Sequence, residues 1–139
     1  MRINIDTYFI EMVKLIGKRS PCLSRQVGCV IVDKNNIVLS TGYNGVPRGQ
    51  EHCLECIRKK TNNLHLCRAI HAEQNALLFC PDINKIEKIY ITYSPCNTCM
   101  KMILNTSCKE IVYLEDYREN DFIFSQYNLD SIIIRKYQQ

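Results

Sequence analysis

His71-Ala72-Glu73, answered further along the chain by Pro95-Cys96-Asn97-Thr98-Cys99, is the stretch on which the reading of this sequence turns. It supplies one imidazole, two thiols and one carboxylate. Zinc takes nitrogen and sulfur ligands in a tetrahedron, and a catalytic zinc site uses three protein ligands and keeps a fourth position open. His71, Cys96 and Cys99 meet that count. Zinc held this way makes hydroxide available near neutral pH. Glu73, left outside the ligand set, then suits a proton shuttle that takes a proton from water and returns it to a reacting nitrogen.

The spacing predicts two helix starts. Pro95 suits a first helical position, where its missing N–H costs nothing. Cys96 and Cys99, three apart, then share one face of the first turn. Free N–H groups and the helix dipole favour thiolate there. His71 and Glu73 are two apart and would diverge on a regular helix, so His71 must stand at the very start of its own. Ala72 between them is small enough to let a flat ring approach. A Cys-x-x-Cys by itself is equally the pattern of a redox pair or half of a structural zinc site, and a lone histidine is usually an ordinary one. The joint pattern, with a proline before the first cysteine, separates these readings.

Working outward, Asp6 is placed to cap a helix running to about residue 18, with Tyr8-Phe9, Met12-Val13 and Leu15-Ile16 as its apolar stripe. Residues 27–32 and 37–41 read as a hairpin turned at 33–36. The polar stretch 42–68 is long and irregular, which in one domain points to a function. A helix over about 71–79 stops at Pro81. Strands at 88–92 and 111–114, a short helix at 121–127 and a last strand at 131–135 follow. This alternation predicts crossover units and a sheet covered by helices on both faces. The unbroken Ile132-Ile133-Ile134 suits a buried strand.

Composition bounds the rest. A chain of 139 residues, 46% hydrophobic, is one domain with a sizeable core. The first residues lack the apolar core of a signal peptide, and no run approaches membrane-spanning length. Nine cysteines without a secretion signal read as metal ligands and reduced thiols, which points to the cytoplasm. A net charge of +4 suits an anionic small substrate. The 18 Lys and Arg are scattered and countered by 14 Asp and Glu, so no basic face for nucleic acid emerges.

The His-x-Glu and Pro-Cys-x-x-Cys pair is the pattern of zinc-dependent nucleobase deaminases. The chain resembles the cytidine deaminase superfamily and, within it, the deoxycytidylate deaminase branch. The resemblance extends over nearly the whole chain. It is carried by Arg19-Ser20-Pro21-Cys22, Arg25-Gln26-Val27-Gly28, the stretch from Thr41 to Gly49 containing Gly42-Tyr43-Asn44-Gly45, His52-Cys53, Leu66-Cys67-Arg68, His71 to Ala76, and Tyr93 to Lys101. It implies a three-layer α/β/α fold around a five-stranded mixed sheet. It implies hydrolytic deamination of dCMP to dUMP and ammonia, feeding thymidylate synthesis. Asn44 would bond the deoxyribose and Arg25 the phosphate, which guanidinium binds bidentately. Backbone groups near Ala72 and Ser94 would hold the pyrimidine edge and the departing ammonia. Tyr117 would line the pocket, or be an ordinary loop tyrosine.

Relatives of this kind often carry a second, structural zinc, and the resemblance implies one here on Cys22, Cys53, Cys67 and Cys56. His52 and His65 are alternative ligands, and four reduced thiols are the other reading. Cys29, Cys80 and Cys108 read as small apolar residues. Cys29 and Met100 stand where alanine is expected. The resemblance further implies a homo-oligomer, often a hexamer, switched by dCTP and dTTP at subunit interfaces. Two other functions compete. One is a related deaminase acting on dCTP, a nucleoside, a base or a polynucleotide. The other is a non-catalytic zinc-binding module, which would have no need of Glu73.

Overall fold

The computed structural model describes residues 1–139. The elements run α1 Ile5–Gly17, β1 Gly28–Val32, β2 Val38–Tyr43, α2 Ile57–Thr61, α3 Ala72–Leu78, β3 Lys88–Tyr93, α4 Asn97–Leu104, β4 Glu110–Glu115, α5 Asn120–Ser125 and β5 Ile133–Lys136. The five strands form one sheet in the order β2-β1-β3-β4-β5. β1 pairs antiparallel with both β2 and β3, whereas β3-β4 and β4-β5 are parallel. The expected five-stranded mixed sheet is therefore present.

Strand side chains alternate between faces, and the two faces build separate cores. Val30, Val32, Tyr90 and Val112 meet Phe9, Ile10 and Val13 of α1. Cys29, Ile31, Ile89, Ile91 and Ile111 meet Ala72 and Ala76 of α3, Met100 and Ile103 of α4, and Ile123 of α5. Each large side chain so buried contributes about 1.5–3 kcal/mol. Helices cover both faces, but unequally: three pack on one and α1 alone on the other. α1 lies so close that a Cβ on Gly28 would stand 2.0 Å from the Val13 carbonyl oxygen.

Four expectations are corrected. The cap of α1 is Asn4, whose Oδ1 accepts from the N–H groups of Asp6 at 2.7 Å and Thr7 at 3.3 Å. Asp6 instead accepts from the Tyr90 hydroxyl and from Arg135, each at 2.7 Å. Burial works to raise the Asp6 carboxyl, but these bonds outweigh it and hold it below the ordinary range. The stretch 42–68 is not wholly irregular, because it contains α2 and a 3-10 turn at Leu64–Leu66. Pro95 lies just before the cap of α4 rather than inside it, since Cys96 is that cap. The isoleucine run is not a buried strand: β5 is an edge strand starting at Ile133, which is 60% exposed.

Candidate metal centre

His71 and Cys96 occupy the same structural position, the cap residue of a helix, and both have extended backbone. The extended cap turns each side chain away from its helix axis, so α3 and α4 present their first residues to one another. Cys99 follows one turn into α4 and is buried. The His71 Nδ1 lies 3.4 Å from the Cys96 Sγ and 3.3 Å from the Cys99 Sγ. Zinc–sulfur and zinc–nitrogen bonds of about 2.3 and 2.0 Å in a tetrahedron put neighbouring N and S ligand atoms about 3.5 Å apart, so the donor set fits the ion. Its three ligand atoms all lie within 4.8 Å of one another.

Electrostatics make the same point. The Cys96 thiol is pulled down to about 4, first by a hydrogen bond with Cys99 and further by His71. The Cys99 thiol is pushed up, first by that same bond to Cys96 and then by burial. Two neighbouring thiols resist ionising together unless a cation stands between them. His71 is raised, chiefly by its bond to Cys96. Glu73, in the first turn of α3, is only 5% exposed. Burial pushes its carboxyl up to about 7. A carboxyl poised near neutrality beside an open metal position can both accept and donate a proton.

The seating of α3 on β2 was not read from the sequence. A Cβ on Gly42 would stand 2.4 Å from the Ala72 carbonyl oxygen and 2.6 Å from the Ala76 nitrogen. The Asn75 side chain donates to the Tyr43 carbonyl at 2.9 Å, and the Gln74 side chain accepts from the His71 N–H at 2.8 Å. Gly45 and Ile70 exchange two backbone bonds, at 3.1 and 2.8 Å. The Gly42 stretch stood out in the sequence, but nothing in it indicates which backbone it meets.

The other expected site residues fall into two groups. Asn44 is buried; its Nδ2 donates to the Arg25 carbonyl at 2.8 Å and its Oδ1 accepts from the Val27 N–H at 2.9 Å. It thus fixes the backbone that carries Arg25. The Arg25 guanidinium lies 4.5 Å from the Tyr93 ring centre and 5.9 Å from that of Tyr117. Ser94 is buried, and its Oγ accepts from the Tyr117 N–H at 2.7 Å. Ala72 is buried at the head of α3. The second group is Cys22, Cys53, Cys56 and Cys67. These line one cavity of about 510 Å³, together with His52, while His65 lies outside it. All four are free thiols, and their sulfurs do not gather as tightly as the first set. Cys29 and Cys108 are buried as expected, and Cys80 is half-buried.

A family model described as the cytidine and deoxycytidylate deaminase zinc-binding region matches residues 3–115. The deoxycytidylate deaminase of Schizosaccharomyces pombe is 38% identical, over 95% of this chain and 44% of its own length. That of Saccharomyces cerevisiae is 35% identical, over 99% of this chain and 46% of its own length. The chain thus spans less than half the length of these two relatives. The crystal structure of the dCMP deaminase from the cyanophage S-TIM5, in complex with dCMP and dUMP, superposes with a TM-score of 0.80 at 29% identity, covering 99% of each chain.

Proposed function

We propose, for a chain that belongs to the cytidine and deoxycytidylate deaminase family, the hydrolytic deamination of dCMP to dUMP and ammonia. One observation carries the reading: the convergence of His71, Cys96 and Cys99, with the Glu73 carboxyl buried in the same helix turn. A structural zinc site has no use for a fourth position left open beside a carboxylate. Zinc on these three ligands supplies a Lewis acid that makes hydroxide available near neutral pH. The protein's own part lies in Glu73, which accepts a proton from water, delivers it to the pyrimidine N3 as oxygen adds at C4, then takes the second proton from the C4 hydroxyl and passes it to the departing amine as the C4 carbonyl forms. The small Ala72 leaves room for the flat base. Arg25 binds the 5′-phosphate, and Asn44 holds Arg25 in register and faces the sugar.

The wider assembly follows from the same reading. The groove of about 800 Å³ beside β2 is lined by Arg19, Arg48 and His52, with Tyr43 and Asn75, and by no acidic side chain. Its charge supports a regulatory nucleotide such as dCTP or dTTP, bound within a homo-oligomer of hexameric type. A second, structural zinc on Cys22, Cys53, Cys56 and Cys67 is supported by their sharing one cavity. No helix is long and apolar enough to cross a membrane, which agrees with a cytoplasmic enzyme of nucleotide supply.

The test is ammonia release from dCMP, dCTP, deoxycytidine and CMP by zinc-loaded protein. The expected result is a kcat/KM for dCMP at least tenfold above that for deoxycytidine. Equal turnover of nucleoside and nucleotide would move the chain to the nucleoside class.

A further inference from the structure

Arg25 is held in an unusual way for a cation in a half-buried site. None of the chain's ion pairs uses it. Its guanidinium carbon instead lies over two aromatic rings, 4.5 Å from the Tyr93 ring centre and 5.9 Å from that of Tyr117. Its own backbone is tied down by Asn44 on its C-terminal side, through the Arg25 carbonyl and the Val27 N–H. Asp116, next to Tyr117 in the chain, has its carboxylate paired with Lys136 at 2.7 Å.

We propose that Tyr93, with Tyr117, clamps the Arg25 guanidinium by its face so that its N–H edge stays free for a phosphate, which makes Tyr93 a positioning residue for nucleotide over nucleoside. The inference rests on the reading of the substrate as a nucleotide. Three observations carry it. First, a guanidinium stacked on a ring keeps its in-plane donors available, and those donors match a phosphate bidentately. Second, tyrosine holds the cation without neutralising it. A carboxylate in the same place would compete with the phosphate for the same N–H groups. Third, both rings hang from the corner that carries the metal ligand. Tyr93 ends β3, three residues before Cys96. The Tyr117 N–H is held by the Ser94 hydroxyl at 2.7 Å, and the Ser94 N–H donates to the Glu115 carbonyl at 2.9 Å. Cation and metal centre are therefore referred to one rigid piece of backbone. The stack also removes rotamer freedom from Arg25 before the ligand arrives, which lowers the entropic cost of binding.

The experiment uses zinc-loaded, full-length protein carrying Glu73→Gln, which binds without turning over, titrated calorimetrically with dCMP and with deoxycytidine. Adding Tyr93→Leu is expected to weaken dCMP binding about three- to tenfold, the range of a cation–π contact at a partly exposed site, and to leave deoxycytidine unchanged. Tyr93→Phe keeps the ring face and is expected to bind dCMP like the parent. With Glu73 intact, Tyr93→Leu is expected to raise KM for dCMP by the same factor with kcat unaltered. Equal weakening of both ligands, no weakening of dCMP, or a Tyr93→Phe variant as impaired as Tyr93→Leu would each overturn the clamp. Failure of the underlying nucleotide reading has a different signature: the parent itself then binds dCMP and deoxycytidine alike, and Arg25→Ala changes neither, which overturns the clamp as well.

Discussion

His71, Cys96 and Cys99 enter their site from the first residues of two helices seated on a packed sheet, and their ligand atoms lie within 4.8 Å of one another. Cys22, Cys53, Cys56 and Cys67 hang from the segment before β1 and from the long stretch between β2 and α3, where nearly every side chain is exposed or half-buried. They share a cavity, but their sulfurs stand further apart. The difference is one of what does the assembling. Around the first set, sheet and helix packing brings the donors together, so the ion finds a formed site. Around the second, little apolar surface is available to order the chain, and bound metal would have to supply that order itself. A preformed site can be tuned for chemistry, whereas one assembled by its ion mainly contributes stability.

The largest effect that separates the two belongs to Glu73. Glu73→Gln keeps shape and removes the proton acceptor, so zinc content should stay at the parent level. Turnover of dCMP should fall by at least the 10²–10⁴-fold typical of a general acid–base group, because the proposed mechanism uses this carboxyl for several transfers. Metal analysis and a single-turnover assay on the same sample check both halves. A zinc-replete variant with parental turnover would remove Glu73 from the mechanism.

A smaller effect tests the loop half. Cys53→Ala should lower melting temperature and zinc content together, from two ions per chain towards one. The triad's ion should remain in whatever fraction stays folded. The loss of stability should be several kcal/mol, since structural zinc adds its binding free energy to folding. Elemental analysis of tag-free protein decides the matter. One zinc per chain, with all four thiols alkylated under native conditions, would leave the loop half without metal and dissolve the contrast drawn above.

The two halves also differ in how far they can be read in advance. The triad and Glu73 are visible in the sequence because their geometry is local: a cap residue, a helix turn and a spacing of three. The covered sheet with its crossover units is visible because hydrophobic alternation is local as well, whereas its five strands and mixed order came only from the family resemblance. Whatever depends on distant partners is not. Asn4 displaces Asp6 as the cap of α1 because Asp6 has a better use with Tyr90, 84 positions away, and Arg135, 129 positions away. Ile133 is exposed because β5 has no neighbour on its outer side and α1 alone covers that face, a fact of topology that no run of isoleucines announces. The Tyr93–Arg25 stack joins two unrelated motifs and has no signal in either.

The smallest effect concerns how the preformed site keeps its shape. Gly42 lets β2 touch the backbone of α3 directly, and an added Cβ would meet the Ala72 carbonyl oxygen at 2.4 Å and the Ala76 nitrogen at 2.6 Å. Neither atom belongs to a side chain that can swing aside. Gly42→Ala must therefore lift α3 from the sheet, and His71 moves with it relative to Cys96 and Cys99. Overpacking of this kind costs about 1–3 kcal/mol. The expected outcome is a lower melting temperature together with an altered cobalt–thiolate absorption spectrum in cobalt-substituted protein, a readout that loss of stability alone would not move. Gly45 provides the control from the loop half. A Cβ there would meet only the Pro21 ring, at 3.2 Å, so Gly45→Ala should cost less and leave the spectrum as it is. If the two variants behave alike, the contact between Gly42 and α3 is not what holds the metal centre in register, and the buried cluster that includes Ala72 and Ala76 would have to do so alone.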